Sequence, residues 1–293
     1  MNRARRNGAA GILAVSALGL LFAGPAQARE QVPCGDVPAL RAAIRQANAT
    51  DGTVVLAPGC AYRLTTPDSG EDGLPPITGD VRISSANAVL TRISGPPFRI
   101  LHVTGGGTLT LERTTISGGL ASGGGALLSE GGTVTLVDVT VEKSRATGQG
   151  GGIDNATGTL TMRGGFLRAN VSANNGGGVE NRAAGATTLI GVSITGNTGG
   201  GWGGGVGNDG NSALSLVSST VSGNRAARGG GLSTTGSAVT VLSSRITDNV
   251  AATQQGGGGI YGPGGRIELF WAGITGNAPD NCAPAGGIAG CAN

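Results

Sequence analysis

The sequence predicts an all-β fold, a right-handed single-stranded parallel β-helix with a short N-terminal capping helix. Three observations predict it. Glycine triplets recur, each followed by a small or branched aliphatic residue: Ala126, Ile153, Val179, Val206, Leu232 and Ile260, at intervals of 27, 26, 27, 26 and 28 residues. A second aliphatic series keeps step at Ile116, Val141, Leu167, Ile194, Val221, Ile246 and Ile274. Its later members are followed three residues on by Asn170, Asn197, Asn224, Asn249 and Asn277. Between the two series lie short runs such as TLTL, TVTL, TLTM, ALSL and AVTV. Their second and fourth residues are apolar, the period of a strand with one buried face.

Each unit of about 26 residues therefore holds at least two short strands separated by Gly, Asn and Ser turns. Strands this short cannot bury a face alone, but stacked on the next unit they form a continuous core. No segment between them carries a helical period long enough for a crossover helix, so the chain must wind as a solenoid of strands. Glycine suits the corners because it accepts positive φ and close backbone approach. The recurrent asparagines suit a ladder, each amide hydrogen-bonding the one stacked on it.

The open ends of a solenoid need covers. At the N-terminal end, "DVPALRAAIRQAN" offers Asp36 as N-cap, Pro38 in the first turn and Leu40, Ala43, Ile44 and Ala47 on one helical face. Irregular coils follow until the regular array starts near residue 106. At the other end Phe270 and Trp271 are the expected cover of the last coil.

Residues 1–28 read as a secretory signal, with Arg3, Arg5 and Arg6 before an apolar run and "AQA" ending at Ala28. The chain divides into this leader, a cap with irregular coils at 29–105, regular repeats at 106–277 and a C-terminal loop at 278–293. The whole sequence has 20 Lys and Arg against 17 Asp and Glu. Without the three leader arginines the balance is neutral, which argues against a nucleic-acid partner. Four cysteines in an exported chain read as disulfides. Three connectivities are open, and segregation at the two ends favours Cys34 with Cys60 and Cys282 with Cys291. With no CxxC and a single histidine, His102, neither a metal site nor a cofactor is expected.

The elements GGGI, GGGV and GGGL, paired with LRAN, ITGN, VSGN and ITDN, resemble the GGAI and FxxN repeat of polymorphic outer-membrane proteins. The resemblance spans roughly residues 106–277, and it implies a surface β-helix, adhesin-like in role. Ile, Leu or Val stands here for the Phe of FxxN, and no counterpart of that family's C-terminal β-barrel is expected.

The outward positions are where chemistry would lie, since β-helices also carry polysaccharide lyases and hydrolases. Asp154 and Glu180 stand at one position of adjacent coils, which stacks two carboxylates about 5 Å apart, near the spacing of a retaining glycosidase. The competing reading makes them solvated turn residues screened by water, beside a ladder of Asn155 and Asn181. Salt ladders are expected for Arg182 with Asp209, Glu142 with Arg168 and Arg113 with Asp138. "GGVGNDG" at 204–210 is a turn that only partly matches a calcium repeat. Trp202, between two glycine runs, should be exposed, and Tyr261 and Trp271 should cluster with Phe270. Such rings can stack on sugars, so Trp202, Tyr261 and Trp271 are the candidate binding residues. His102 lacks a nucleophile for a triad. The functional expectation is a secreted, monomeric, non-catalytic module that binds a polysaccharide or cell-surface partner. The alternatives are a polysaccharide lyase or hydrolase using Asp154 and Glu180, and a purely structural envelope protein.

Overall fold

The computed structural model describes residues 31–293, so the leader expected at 1–28 lies outside the described residues. The chain winds as the expected right-handed all-parallel β-solenoid, with one helix near its N-terminal end. Ten strands follow one another along the longest sheet, from Gln31–Val32 to Arg266–Phe270. One coil shows the pattern. Ala186–Ile190 and Ser193–Thr195 lie in the long sheet, Thr198–Gly199 in a second of six strands, and Val206–Asn208 in a third of eight. The glycine turn sits between the second and third sheets.

The aliphatic series from Ile116 to Ile274 stacks member on member. The triplet series does so with one correction. Leu127, not Ala126, lies opposite Ile153, and Ala126 takes the place held by the third glycine elsewhere. The first glycine of each turn explains the composition. Gly124, Gly150, Gly176, Gly203 and Gly229 have φ between 55° and 69°, a region costly for residues with a Cβ. The next glycine along is held by crowding: a Cβ on Gly151 or Gly177 would strike the carbonyl oxygen of the glycine one coil on.

The helix, α1, spans Val37–Thr50 and is capped as expected, with the Asp36 carboxylate accepting from Ala39 N–H at 2.8 Å. Leu40, Ile44 and Ala47 are buried against the first coils, and a Cys34–Cys60 disulfide closes the connection beneath it. The second disulfide, Cys282–Cys291, closes the C-terminal loop. That loop, and not the aromatic pair, supplies the distal cover. Ile288 is 4% exposed within the core, and Cys291 packs against the same core. Trp271 is 84% exposed and Phe270 47%. Trp271 sits at φ 51° in the bend before Gly273–Thr275, which turns its ring outward.

Inside the coil, polar side chains are buried in files. Asn170, Asn197, Asn224, Asn249 and Asn277 each pass an amide hydrogen bond to the next, at 3.1, 3.0, 2.9 and 3.0 Å. Each Oδ1 also accepts the backbone N–H of the preceding asparagine, while Nδ2 donates to a carbonyl such as Ile194 O. A second file runs from Asn155 through Asn181 and Asn208 to Thr234. Buried amides are stable here because their donors and acceptors are matched across the coil step.

Asn224→Ala should therefore destabilise the protein by about 3 kcal/mol, since it strands the buried N–H of Asn197 and the Ile194 carbonyl. Asn174→Ala, on the exposed side of the turn, should cost less than about 0.5 kcal/mol. Urea denaturation of the two variants checks the contrast.

Candidate functional site

The coil step aligns side chains into columns on the third sheet and its glycine turn. One column reads His102, Leu128, Asp154, Glu180, Gly207, Ser233 and Tyr261. Two residues along the strands, Glu130 and Arg182 share a second column. In the turn, Gln149, Asn175, Trp202 and Arg228 hold equivalent places, each carbonyl accepting from the first glycine of the preceding coil at 3.0–3.1 Å. Everything with chemical potential on this edge lies on these three columns or on the segment that folds over their start.

Asp154 and Glu180 do pair in register, as the coil alignment predicts. Neither is solvated. Asp154 is 1% exposed and Glu180 is fully buried, because the glycine turn folds back over this column. Gly207 and Gly176 lie so close to the Glu180 carboxylate that a Cβ on either would strike it. A group hidden in this way does not touch a polymer lying on the surface.

Their electrostatics differ accordingly. Burial pushes the Asp154 carboxyl up, and the Arg182 guanidinium offsets part of that through two hydrogen bonds at 2.9 and 3.1 Å. Arg182 thus pairs with Asp154 and not with the expected Asp209. Glu180 is raised well above the usual carboxyl range, first by burial and then by the neighbouring Asp209 and Asp154 carboxylates. Neither Glu180 oxygen has a hydrogen-bond partner among the described residues. The Asp209 and Asp154 carboxylates beside it add like charge and so disfavour its ionised form further. Among the other expected pairs, Glu142 and Arg168 meet at 2.7 Å. Arg113 does not reach Asp138 but turns its Nε–H to the Ser85 carbonyl at 3.1 Å.

Sequence reasoning set His102 aside, yet the structure makes it the centre of a network. Its Nδ1 lies 3.0 Å from Asp72 and its Nε2 3.1 Å from Glu130. Arg99 holds Asp72 at 2.6 Å and Glu71 at 3.1 Å. Burial opposes the charged imidazole, but the hydrogen bond and charge of Asp72 outweigh it, and the His102 pKa is raised. Asp72 is lowered in turn, its burial outweighed by His102 and Arg99. Arg99, His102, Ser122, Glu130, Asp154 and Arg182 border a groove of about 460 Å³. Glu71 and Asp72 come from an irregular segment with no repeat pattern, so no sequence signal marks their arrival here.

Farther along the turn column, Trp202 is half-buried rather than exposed. Tyr261 stacks with Trp202, not with the final aromatic pair; the ring centroids are 6.2 Å apart at 50°. Trp271 stands apart from both, exposed beyond the last coil. Among the described residues no cluster of three or more His, Cys, Asp or Glu forms a metal cage.

Residues 99–268 match the family model described as the right handed beta helix region. A similar solved structure is the A-module of the Azotobacter vinelandii mannuronan C-5 epimerase AlgE6. It shares 14% identity over 86% of each chain, with a TM-score of 0.41, a likeness too distant to bear on chemistry. No curated protein matches the chain.

The buried Glu180 makes stability depend on pH. Because its folded pKa is raised, its contribution is complete below the ordinary carboxyl range and is lost as pH climbs through the folded value. Each unit between the two is worth about 1.4 kcal/mol. Glu180→Gln puts a side chain that cannot ionise in the same place, so its melting temperature should fall less between pH 5 and pH 9 than that of the unsubstituted protein. Parallel pH slopes for the two proteins would show that Glu180 ionises freely in the fold.

Proposed function

We propose that this chain, which belongs to the right-handed β-helix family, is an exported protein whose glycine-turn edge binds an extended carbohydrate polymer. One observation carries the reading. Gln149, Asn175, Trp202 and Arg228 repeat one place per coil, about 4.8 Å apart, between the His102 groove and the Trp202–Tyr261 pair. A linear polymer presents its own regular repeat, and a file of polar and aromatic side chains at constant spacing meets it at several units in succession. Half-buried rings offer an apolar face to sugars while their edges stay polar.

Two disulfides support export, since such bonds persist in oxidising compartments. In that setting residues 1–28 are the signal peptide, 29–105 the cap and irregular coils, 106–277 the repeats, and 278–293 the distal loop. The repeat chemistry supports a surface role of the adhesin-like kind, with the protein acting as a monomer and without nucleic acid.

A second reading has a specific observation behind it. The groove brings an imidazole, two carboxylates and two guanidiniums to one rim, and acid–base cleavage of a polysaccharide needs groups of that kind within hydrogen-bond reach. The stacked Asp154 and Glu180 are the alternative pair for that chemistry; Asp154 borders the groove, and Glu180, buried behind it, would act only if the turn opened.

Retention of the mature protein, residues 29–293, on immobilised polysaccharides tests the binding reading. Trp202→Ala should weaken retention about tenfold, the loss of roughly 1–1.5 kcal/mol of stacking, with the fold intact by circular dichroism. Assays for reducing ends and unsaturated products test the second reading. Release abolished by His102→Gln would place chemistry in the groove, and release abolished by Glu180→Gln would place it at the carboxylate stack. No retention and no release on any polymer would leave the protein a structural component.

A further inference from the structure

Most guanidiniums that meet acidic groups on this surface are neutralised in place. Arg99 is held by Asp72 and Glu71, Arg182 by Asp154, Arg168 by Glu142 and Arg82 by Glu112. Arg228 differs. It forms no ion pair with any described residue, and its guanidinium lies 5.4 Å from the centroid of the Tyr261 ring. Its Nη1 donates to Tyr261 Oη at 3.4 Å. Its backbone bridges that of Trp202 on the preceding coil, and Trp202 is anchored by donating its own N–H to Asn175 Oδ1 at 3.0 Å. Three residues before Arg228, the exposed Arg225 also forms no ion pair with a described residue. It borders a shallow cavity of about 280 Å³ with Thr198, Gly200 and Ala227.

Three consecutive coils thus bring two tilted rings and a guanidinium to one spot, with a second guanidinium on the neighbouring short strand. An arginine stacked on tyrosine with only Nη1 engaged keeps its remaining N–H groups for an anion, and its planar fork suits a carboxylate. Neutral sugars have no use for uncompensated positive charge. We propose that this cluster is a subsite for a uronate unit of an acidic polysaccharide. Trp202 and Tyr261 take the apolar face of the ring, and Arg228, with Arg225 behind it, takes the carboxylate. The inference rests on the polymer-binding reading above and adds the charge class of the ligand.

Affinity electrophoresis of the mature protein tests it, using polygalacturonate, alginate and hyaluronan beside their carboxyl-reduced counterparts. The acidic form of at least one polymer should retard the protein, and its carboxyl-reduced form should bind at least about tenfold more weakly, the scale of a charge-assisted hydrogen bond. Arg228→Gln should weaken binding of the acidic form by about the same factor and binding of the reduced form by clearly less, because only the acidic form loses a charge-assisted contact. Trp202→Ala should weaken both forms. Equal binding of acidic and reduced polymer, or an Arg228→Gln protein that binds the acidic form undiminished, would overturn the uronate subsite while polymer binding stands. Retardation by sulfated dextran alone would reassign the subsite to sulfate. Absence of binding to every polymer, neutral ones included, would overturn both readings.

Discussion

The hydrogen bond from one coil to the next is the interaction on which the rest of this structure depends. Every pairing between its strands is parallel, and each links a residue to its counterpart 25 to 29 positions away through most of the array. A fixed step of that kind turns sequence repetition into spatial columns. Apolar residues become a continuous core, buried asparagines become files that satisfy themselves, and surface residues become rows facing one partner. Removing the match at any one coil leaves a donor or acceptor without a partner, which is costly in a dry interior. The same rule explains why polar Asn, Ser and Thr can be buried so freely here.

Glycine has two consequences in this design, and they meet at the candidate site. It permits the left-handed corner between the second and third sheets, and it lets successive turns lie against one another without Cβ atoms between them. That closeness folds the turn onto the third sheet. As a result a column that alternation marks as outward-facing becomes an inner one, and Glu180 ends beneath Gly207 and Gly176. Burial then sets the chemistry: it disfavours the charged form of the Glu180 carboxyl, while Asp154 is held by Arg182. The face left to solvent is the turn itself, where Trp202 and Arg228 interrupt the small residues.

Much of this was legible residue by residue. The spacing of Ile116 to Ile274 and the asparagine file depend on chemistry repeated at constant intervals, the Asp36 cap and the pairing of the end cysteines on groups close in sequence, and the structure has all four as read. The misreadings share a cause. Ala126 was aligned one residue early because it follows a glycine triplet, whereas register is decided by the hydrogen bonds of the coil below. Arg182 was matched to its neighbour in sequence register, Asp209. A long side chain reaches diagonally, though, and it found Asp154 on the preceding coil. Size and apolarity mark Trp271 as a cover, but it sits in a bend at positive φ, exposed, and the disulfide loop has that role.

By itself the sequence determined the repeat length, the parallel winding, the capping helix and the ladder, because each follows from periodicity and from backbone needs that act over a few residues. Only the tertiary structure decided what the surface presents. Tyr261 reaches Trp202 across two coil steps, and Asp72 reaches His102 from an aperiodic segment 30 residues away. Contacts of that kind depend on side-chain direction and on how a turn folds over its neighbours. No pattern along a single chain encodes those two quantities, because they arise when one coil is laid upon another.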